Sequence, residues 1–464
     1  MEKFDYKGFW WLPNNPTEKL AGICSFTLSE GGDLELIGDF SALVDFHTSE
    51  EPLLILGSTL EGEVTLYNCF LKEKKKRHGS VEVSLYGVNL IFSGIHFYSD
   101  LEVKFKSIST HYSLMNAWVN TETFSFKHSE DEEQLIYKGW NQLAQANIDS
   151  DYSLSIGIGC GQSVSLFEKI TIDRKVFLTI EAIEEKHYRE YRKVMTYVRN
   201  FLTLGITKPV FPLIMNGFIS RDNRTLVVRI IGKIADSSNN IFNSKISWSD
   251  MFFSFRDVLD KFEALIKNWF DKAEYLGTVY ELYFGVLENP DLYYPQQEFL
   301  SLVQALESYC QKDLNPELKK LERTEEEHSK MLEAIISHTP EEHQGWLKSK
   351  LRSSNSLSLN AKLMSLLKSR SLQEIFKHLK RSDNAFNVFL DGRLRDKFVN
   401  GIVKARNQLS HGNGYDGDVY GKDFRLHIQR LKVLVEILLL KELGFSKEDI
   451  GVLLLRSRVG LRIT

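Results

Sequence analysis

The sequence predicts an α+β, multidomain protein, with a β-rich N-terminal sandwich or barrel-like domain followed by an all-α helical bundle. Three observations predict it. The chain has 464 residues, more than one ordinary core accommodates. Apolar residues alternate with a period of two through the first 180 or so positions, and repeat at helical spacing from Trp248 onward. Hydrophobic residues make up 43% of the chain and only nine prolines are present, so each domain can bury a core and long disordered tracts are not expected.

The β-rich part is read over residues 1–180. Leu20, Gly22, Cys24, Phe26 and Leu28 alternate with mostly polar neighbours, the Glu30-Gly31-Gly32-Asp33 turn follows, and Leu34, Leu36 and Gly38 resume the period. That pattern predicts a hairpin. Similar runs recur at Leu53–Leu56, Val64–Leu71, Val81–Phe92, Leu101–Phe105, Leu154–Ile158 and Val164–Ile172. Many short strands separated by turns indicate a sandwich or distorted barrel.

Residues 181–295 read as a helical connector containing one short strand. Tyr191, Val194, Val198, Phe201 and Leu202 repeat at helical spacing, with Gly205 as the expected C-cap. The strand-like run is Thr225–Ile231, and the Asn/Ser-rich stretch from Gly232 to Ser247 is the best candidate for a domain junction. Residues 296–464 form the expected helical domain, with helices near 296–311, 315–338, 340–352, 358–380, 393–410 and 422–443.

Charge is distributed unevenly. The formal net charge is −4, yet His343 to His411 holds 14 Lys/Arg against four Asp/Glu, while residues 1–250 hold 26 against 32. A basic stretch in an acidic chain fits contact with a polyanion such as RNA, and it also fits a solvated helix face. The four cysteines (Cys24, Cys69, Cys160, Cys310) form no C-x-x-C pair, which argues against a disulfide framework or zinc knuckle. No secretory signal is read at the N-terminus, and the apolar run Leu431 to Leu443 is too short and too charged to span a bilayer, so the cytoplasm is the expected location and no membrane partner is expected.

The stretch that carries chemistry runs from Lys404 to Gly414. Leu394, Phe398, Ile402 and Leu409 define an apolar stripe at three- and four-residue steps, and Arg406 lies on it, four residues after Ile402 and three before Leu409. A guanidinium there needs an anionic partner or a function, because burying an unpaired charge is costly. Gly412-Asn413-Gly414 ends the helix and places His411 at its C-terminus, where the macrodipole favours the protonated imidazole.

RNA cleavage by the 2′-hydroxyl needs such a pair. Arg406 can stabilise charge on the phosphoryl oxygens as a planar donor fork. His411 can act as general acid or base, or hold the 2′-hydroxyl in line. The substrate supplies its own nucleophile, so no metal and no cofactor is required. Taken alone, the two residues also admit a plainer reading: Arg406 as a buried salt-bridge partner and His411 as a helix cap.

The arginine, the polar Asn407 and the histidine after four intervening residues resemble the signature of HEPN ribonucleases, which carry it late in an all-helical domain. Phe299 to Tyr309 resembles the early helix of the ApeA-like HEPN group. Gly8-Phe9-Trp10-Trp11-Leu12-Pro13, Gly22 and the Leu34–Phe40 strand resemble the N-terminal domain of ApeA antiphage proteins. The resemblance implies a bacterial defence protein that cleaves RNA during phage infection and arrests growth, with a phage-derived trigger read by the N-terminal domain. It also implies a homodimer or higher oligomer, since HEPN domains pair to form one composite cleft. Glu307, beside its own helix's apolar stripe, either joins that site or simply pairs with Arg406. Asn407 either positions the histidine or the RNA, or is a polar surface residue. The alternative from another functional class is a non-enzymatic sensor or binding protein whose helical domain only oligomerises. Nuclease action on DNA is disfavoured by the 2′-hydroxyl mechanism.

Other motifs have plainer explanations. Gly157-Ile158-Gly159-Cys160-Gly161 lacks the ending and the following helix of a phosphate loop and is expected to be a glycine-rich bend or bulge. The Lys72–His78 run reads as a solvated hairpin tip, and Glu325-Glu326-Glu327 as a helix cap. His328, His338 and His343 lack the spacing of a helical zinc pair, and Trp10 and Trp11 read as sheet packing.

Overall fold

The computed structural model describes residues 3–40, 52–75, 81–122, 124–129, 132–137, 141–165, 168–221, 224–234, 246–288, 294–312, 323–352, 354–355, 357–380, 384–410, 417–457 and 462–463. It has a β-sheet region followed by a helical region, and divides into two compact units, Met1–Phe270 and Asp271–Thr464.

The first unit is built on strands β1 (Lys3–Leu12), β2 (Asn15–Thr27), β3 (Gly31–Ile37), β4 (Leu53–Thr59), β5 (Gly62–Lys75), β6 (Val83–Ser93), β7 (Lys104–Tyr112), β8 (Phe124–His128), β9 (Glu133–Tyr137), β10 (Asn141–Asn147), β11 (Tyr152–Ser165), β12 (Lys169–His187), β13 (Pro212–Arg221) and β14 (Arg224–Gly232). Strands β6, β3, β2, β1, β4 and β5 pair in that order, and β5 pairs again with β6, so six antiparallel strands close on themselves. Closure leaves these strands no open edge. The expected first hairpin is present, with Thr27 opposite Gly31 and Gly22 opposite Leu36. Inward side chains alternate as the sequence predicts: Trp10, Phe26, Leu34, Leu36, Ile55, Leu66 and Tyr86 are all fully buried in one cluster. Gly57 is required there, because a Cβ would enter the ring of Trp10.

The sheet branches at β6. Its first half pairs with β3 and its last residues, Leu90 to Ser93, pair with β14. From there β14, β13, β7, β12, β11 and β10 continue the sheet, while β8 and β9 form a separate hairpin. Strand β13 was not anticipated; its run Pro212–Arg221 is apolar on both faces at most positions and carries no clear alternation. Gly157 to Gly161 is not a bend or bulge but the middle of β11, paired without interruption to Phe177 through Asp173. Of the basic run, Lys72 pairs with Asp33, and Lys74 with Asp39 and Glu82, while Lys76, Arg77 and His78 lie outside the described residues.

The first unit also holds α1 (Met115–Val119), α2 (Tyr188–Ile206) and α3 (Phe255–Val258); the division between units falls within α4 (Phe262–Tyr275). Helix α2 starts at a capping box of His187 and Glu190. It ends at Thr207, in the left-handed conformation with φ 65°, and not at Gly205. Gly205 instead lies inside the helix, where the Phe253 ring leaves no room for a Cβ.

The second unit is helical among the described residues: α5 (Gly277–Glu288), α6 (Pro295–Gln311), α7 (Glu325–Ser337), α8 (Glu341–Leu351), α9 (Leu359–Lys368), α10 (Arg370–Lys380), α11 (Asn387–Leu390), α12 (Gly392–Ser410), α13 (Lys422–Leu443) and α14 (Lys447–Arg456). Helix α13 spans the predicted bounds and ends at Gly444 with φ 106°. The predicted helix over 358–380 is two helices, parted at Ser369, and α14 was not anticipated. Helix α13 is the core element. Its Glu436, only 2% exposed, takes two contacts from Arg462 Nη2, at 2.9 and 3.0 Å, and a hydrogen bond from the Tyr283 hydroxyl at 2.9 Å. Helix α6 docks on α13 through the Phe299–Phe424 ring contact and a 2.7 Å hydrogen bond from Tyr309 to Glu442. No described helix is long and apolar enough to cross a membrane.

Candidate active site

Three helices of the second unit bring charged groups together. On α12, Phe398, Val399, Ile402 and Ala405 are buried, while Leu394 at the start of the expected stripe is exposed. Arg406 follows directly on this buried face and is only partly covered, its side chain 34% exposed. On α6, the residues Leu302, Val303, Leu306, Tyr309 and Cys310 face inward and Glu307 flanks them. The orientation of α6 on α13 therefore aims Glu307 at α12.

Arg406 Nη2 lies 3.5 Å from Glu307 Oε2, and Lys362 Nζ on α9 lies 3.7 Å from Glu307 Oε1. One carboxylate thus stands between two cations from two other helices. A pair this far apart and partly exposed contributes about 0–1 kcal/mol to stability. Its consequence is placement, since the carboxylate fixes both cations near one point. Two further contacts hold the helices: Asn360 donates to Asn400 at 2.9 Å between α9 and α12, and the Cys310 thiol approaches the Lys362 carbonyl at 3.9 Å between α6 and α9.

Arg406 Nη1 also donates to the neighbouring Asn407 Oδ1 at 3.3 Å, and Asn407 is exposed. The structure thus brings together Arg406, Asn407 and Glu307 from the residues singled out in the sequence. The fourth, His411, lies outside the described residues, as do Gly412 and Asn413; the described helix runs to Ser410.

Lys362 was missed by the sequence reading, although the signal that marks Arg406 was present. It lies three residues after Leu359 and four before Leu366, both buried, so a cation occupies the inward stripe of α9. His427 on α13 also approaches α12, but one turn earlier: its ring packs on Phe398 at 5.9 Å and against Gly401, where a Cβ would come within 2.9 Å. Burial pushes the His427 pKa down.

The remaining histidines and the acidic run have local partners. His328 Nε2 lies 2.8 Å from the Ser354 hydroxyl, and His338 Nδ1 lies 2.8 Å from the Ala334 carbonyl. Thr324 and Glu327 form a capping box at the start of α7. Among the described residues there is no group of three or more His, Cys, Asp or Glu side chains placed to hold a metal ion.

A half-exposed guanidinium fork beside an amine, with a single carboxylate between them, is a site where a phosphodiester can compete for the cations. Comparison with known families is consistent with both halves of the chain as described. Residues 5–269 match the family model described as ApeA N-terminal domain 1, and residues 300–449 match the one described as Apea-like HEPN. No curated protein and no solved structure matches the chain.

Proposed function

The chain belongs to the ApeA family, and from that premise we propose that its helical unit is a metal-independent endoribonuclease acting in the cytoplasm in antiphage defence of the abortive-infection type. The observation that carries this reading is the position of Arg406, held between α6, α9 and α12 by a carboxylate it can exchange for a phosphate.

In the proposed reaction the RNA 2′-oxygen attacks the adjacent phosphorus, and the bond to the 5′-oxygen breaks. The products are a 2′,3′-cyclic phosphate and a 5′-hydroxyl. Arg406 stabilises charge that builds on the non-bridging oxygens. His411 takes the 2′-hydroxyl proton, supplies one to the leaving 5′-oxygen, or holds the 2′-hydroxyl in line. Glu307 positions the Arg406 fork and is displaced or shared as the phosphate enters. Asn407 orients Arg406 from the solvent side. Two copies of the chain pair through their helical units so that two arginines and two histidines line one cleft. A phage-derived trigger acting on the β-rich unit releases the activity.

The test is cleavage of single-stranded RNA by the full chain, with its trigger supplied by phage infection or infected-cell extract, in the presence of a chelator. Arg406→Ala and His411→Ala each abolish cleavage on this reading while leaving the thermal unfolding midpoint near that of wild type. Full activity in either variant, or strict dependence on a divalent ion, rejects the assigned mechanism. Equal growth impairment by wild type and by the Arg406/His411 double variant favours a protein that binds rather than cuts.

A further inference from the structure

A cavity of about 450 Å³ opens in the first unit where the sheet branches, between β5, β6, the end of β14 and the face of α2. Its walls carry three cations, Arg192 and Arg199 from α2 and Lys233 just after β14, and among the described residues that line it there is no aspartate or glutamate. The nearby carboxylate of Asp100 is already engaged, accepting from the Tyr67 hydroxyl at 2.7 Å and pairing with Arg189 at 3.2 Å. No described acidic side chain forms an ion pair with Arg192 or Lys233, and both are exposed. An acidic unit with a cluster of cations in a concave site focuses positive potential there, against its own overall charge.

Backbone geometry at the cavity is unusual in a way that serves it. Leu54 pairs with Tyr67 and Leu53 with Cys69, so Asn68 is an extra residue in β5. It adopts φ 55°, the left-handed conformation that asparagine tolerates better than most residues. Such a bulge re-aims a side chain and is common beside binding sites. Here it places Asn68 on the cavity wall next to Asn89 of β6, giving two carboxamides able to donate and accept. The floor is apolar, with Leu90, Met195 and Met215 all buried.

Arg192 and Arg199 are seven residues apart, two turns along one helix face, so their backbones are about 10 Å apart along the axis. With Lys233 opposite, positive charge is spread along the cavity, an arrangement that suits a chain of phosphates. The apolar floor and paired carboxamides suit a flat ring with polar edges, and the volume is that of a small-ligand site. We propose that this cavity binds a nucleoside polyphosphate, the phosphates on Arg192 and Lys233 and the base against Leu90 and the Asn68–Asn89 pair. The proposal stands independently of what the helical unit cleaves.

The test is calorimetric titration of the full chain with ATP, GTP, CTP and UTP, and with inorganic tripolyphosphate as the ring-free probe. The expected result is saturable binding of at least one nucleotide, at least tenfold weaker in the Arg192→Glu/Lys233→Glu variant. Both positions are on the surface, so folding is not at stake, and unchanged circular dichroism checks this. Absence of saturable binding by wild type overturns the proposal, as does equal affinity in the variant. Tripolyphosphate binding as tightly as the best nucleotide overturns the assignment of a base to the apolar floor.

Discussion

Glu307 Oε2 on α6 and Arg406 Nη2 on α12 stand 3.5 Å apart, each partly open to solvent. A carboxylate in that position both anchors the guanidinium and competes with any phosphate for it. Glu307→Gln keeps the shape and removes the charge. The expected outcome is RNA cleavage lowered about tenfold through kcat, equivalent to about 1.4 kcal/mol of transition-state stabilisation. Stability should change by less than about 1 kcal/mol, as for other partly exposed pairs. Cleavage kinetics with thermal unfolding check both parts; unchanged kcat removes Glu307 from the site.

Lys362 shares that carboxylate from the opposite side, at 3.7 Å. Substitution to alanine should weaken RNA binding several-fold and lower the dependence of log affinity on log salt by roughly 0.7, the loss of one contact to single-stranded phosphate. Fluorescence anisotropy at several salt concentrations measures it. An unchanged slope assigns Lys362 to local packing alone.

Buried charge in α13 governs the stability of the helical unit. Arg462→Ala removes the hydrogen-bonded cation of Glu436, 2% exposed, and leaves Lys432 on the same helix as its remaining cationic neighbour. The expected destabilisation is about 3 kcal/mol, the lower end for a broken buried pair, because the core carboxylate loses its hydrogen-bonded cation. Replacing both residues with methionine should cost far less, and chemical denaturation of the two variants makes the comparison.

His427 predicts an acid-sensitive component of stability. Burial lowers its pKa below the ordinary 6.5; Arg430 nearby acts in the same direction and Asp423 opposes it. The unfolded chain therefore binds a proton that the native chain resists, so the contribution is full above about pH 6.5 and is lost as pH falls toward the native value. Between pH 7.5 and 5.5 the unfolding midpoint of wild type should fall more steeply than that of His427→Leu. Parallel pH profiles contradict this.

In the β-rich unit, Gly57→Ala drives a methyl group into the Trp10 ring. Overpacking of this kind costs about 1–3 kcal/mol. The variant should lower the unfolding midpoint, and the paired change Gly57→Ala with Trp10→Phe should recover part of the loss.

Much of the fold was legible because periodicity reports which face of an element is buried. Leu20 through Leu28 and the Gly31 turn read directly as a hairpin, and α13 has the bounds its apolar spacing predicts. Periodicity does not report which strands pair. The closure of the six strands through β1 on β4 and β3 on β6, and the branching of β6 between β3 and β14, depend on partners far apart in the chain. Gly205 and the glycines of β11 were misread for a related reason: their role is close packing against Phe253 or regular pairing with β12, not the turn chemistry glycine signals locally. At the site, Arg406 stood out as a cation on an apolar stripe. Lys362 had the same signature, but its link to Arg406 runs through Glu307 on a third helix, a relationship that no local pattern contains.

The most direct measurement compares two RNA oligonucleotides that differ only in a 2′-deoxyribose at the scissile position, incubated with the triggered full chain in a chelator. The proposed mechanism gives cleavage of the all-ribose strand to a 2′,3′-cyclic phosphate, none of the deoxy-substituted strand at that position, and none of either by Arg406→Ala. Cleavage at the deoxy position, or undiminished cleavage by Arg406→Ala, contradicts it.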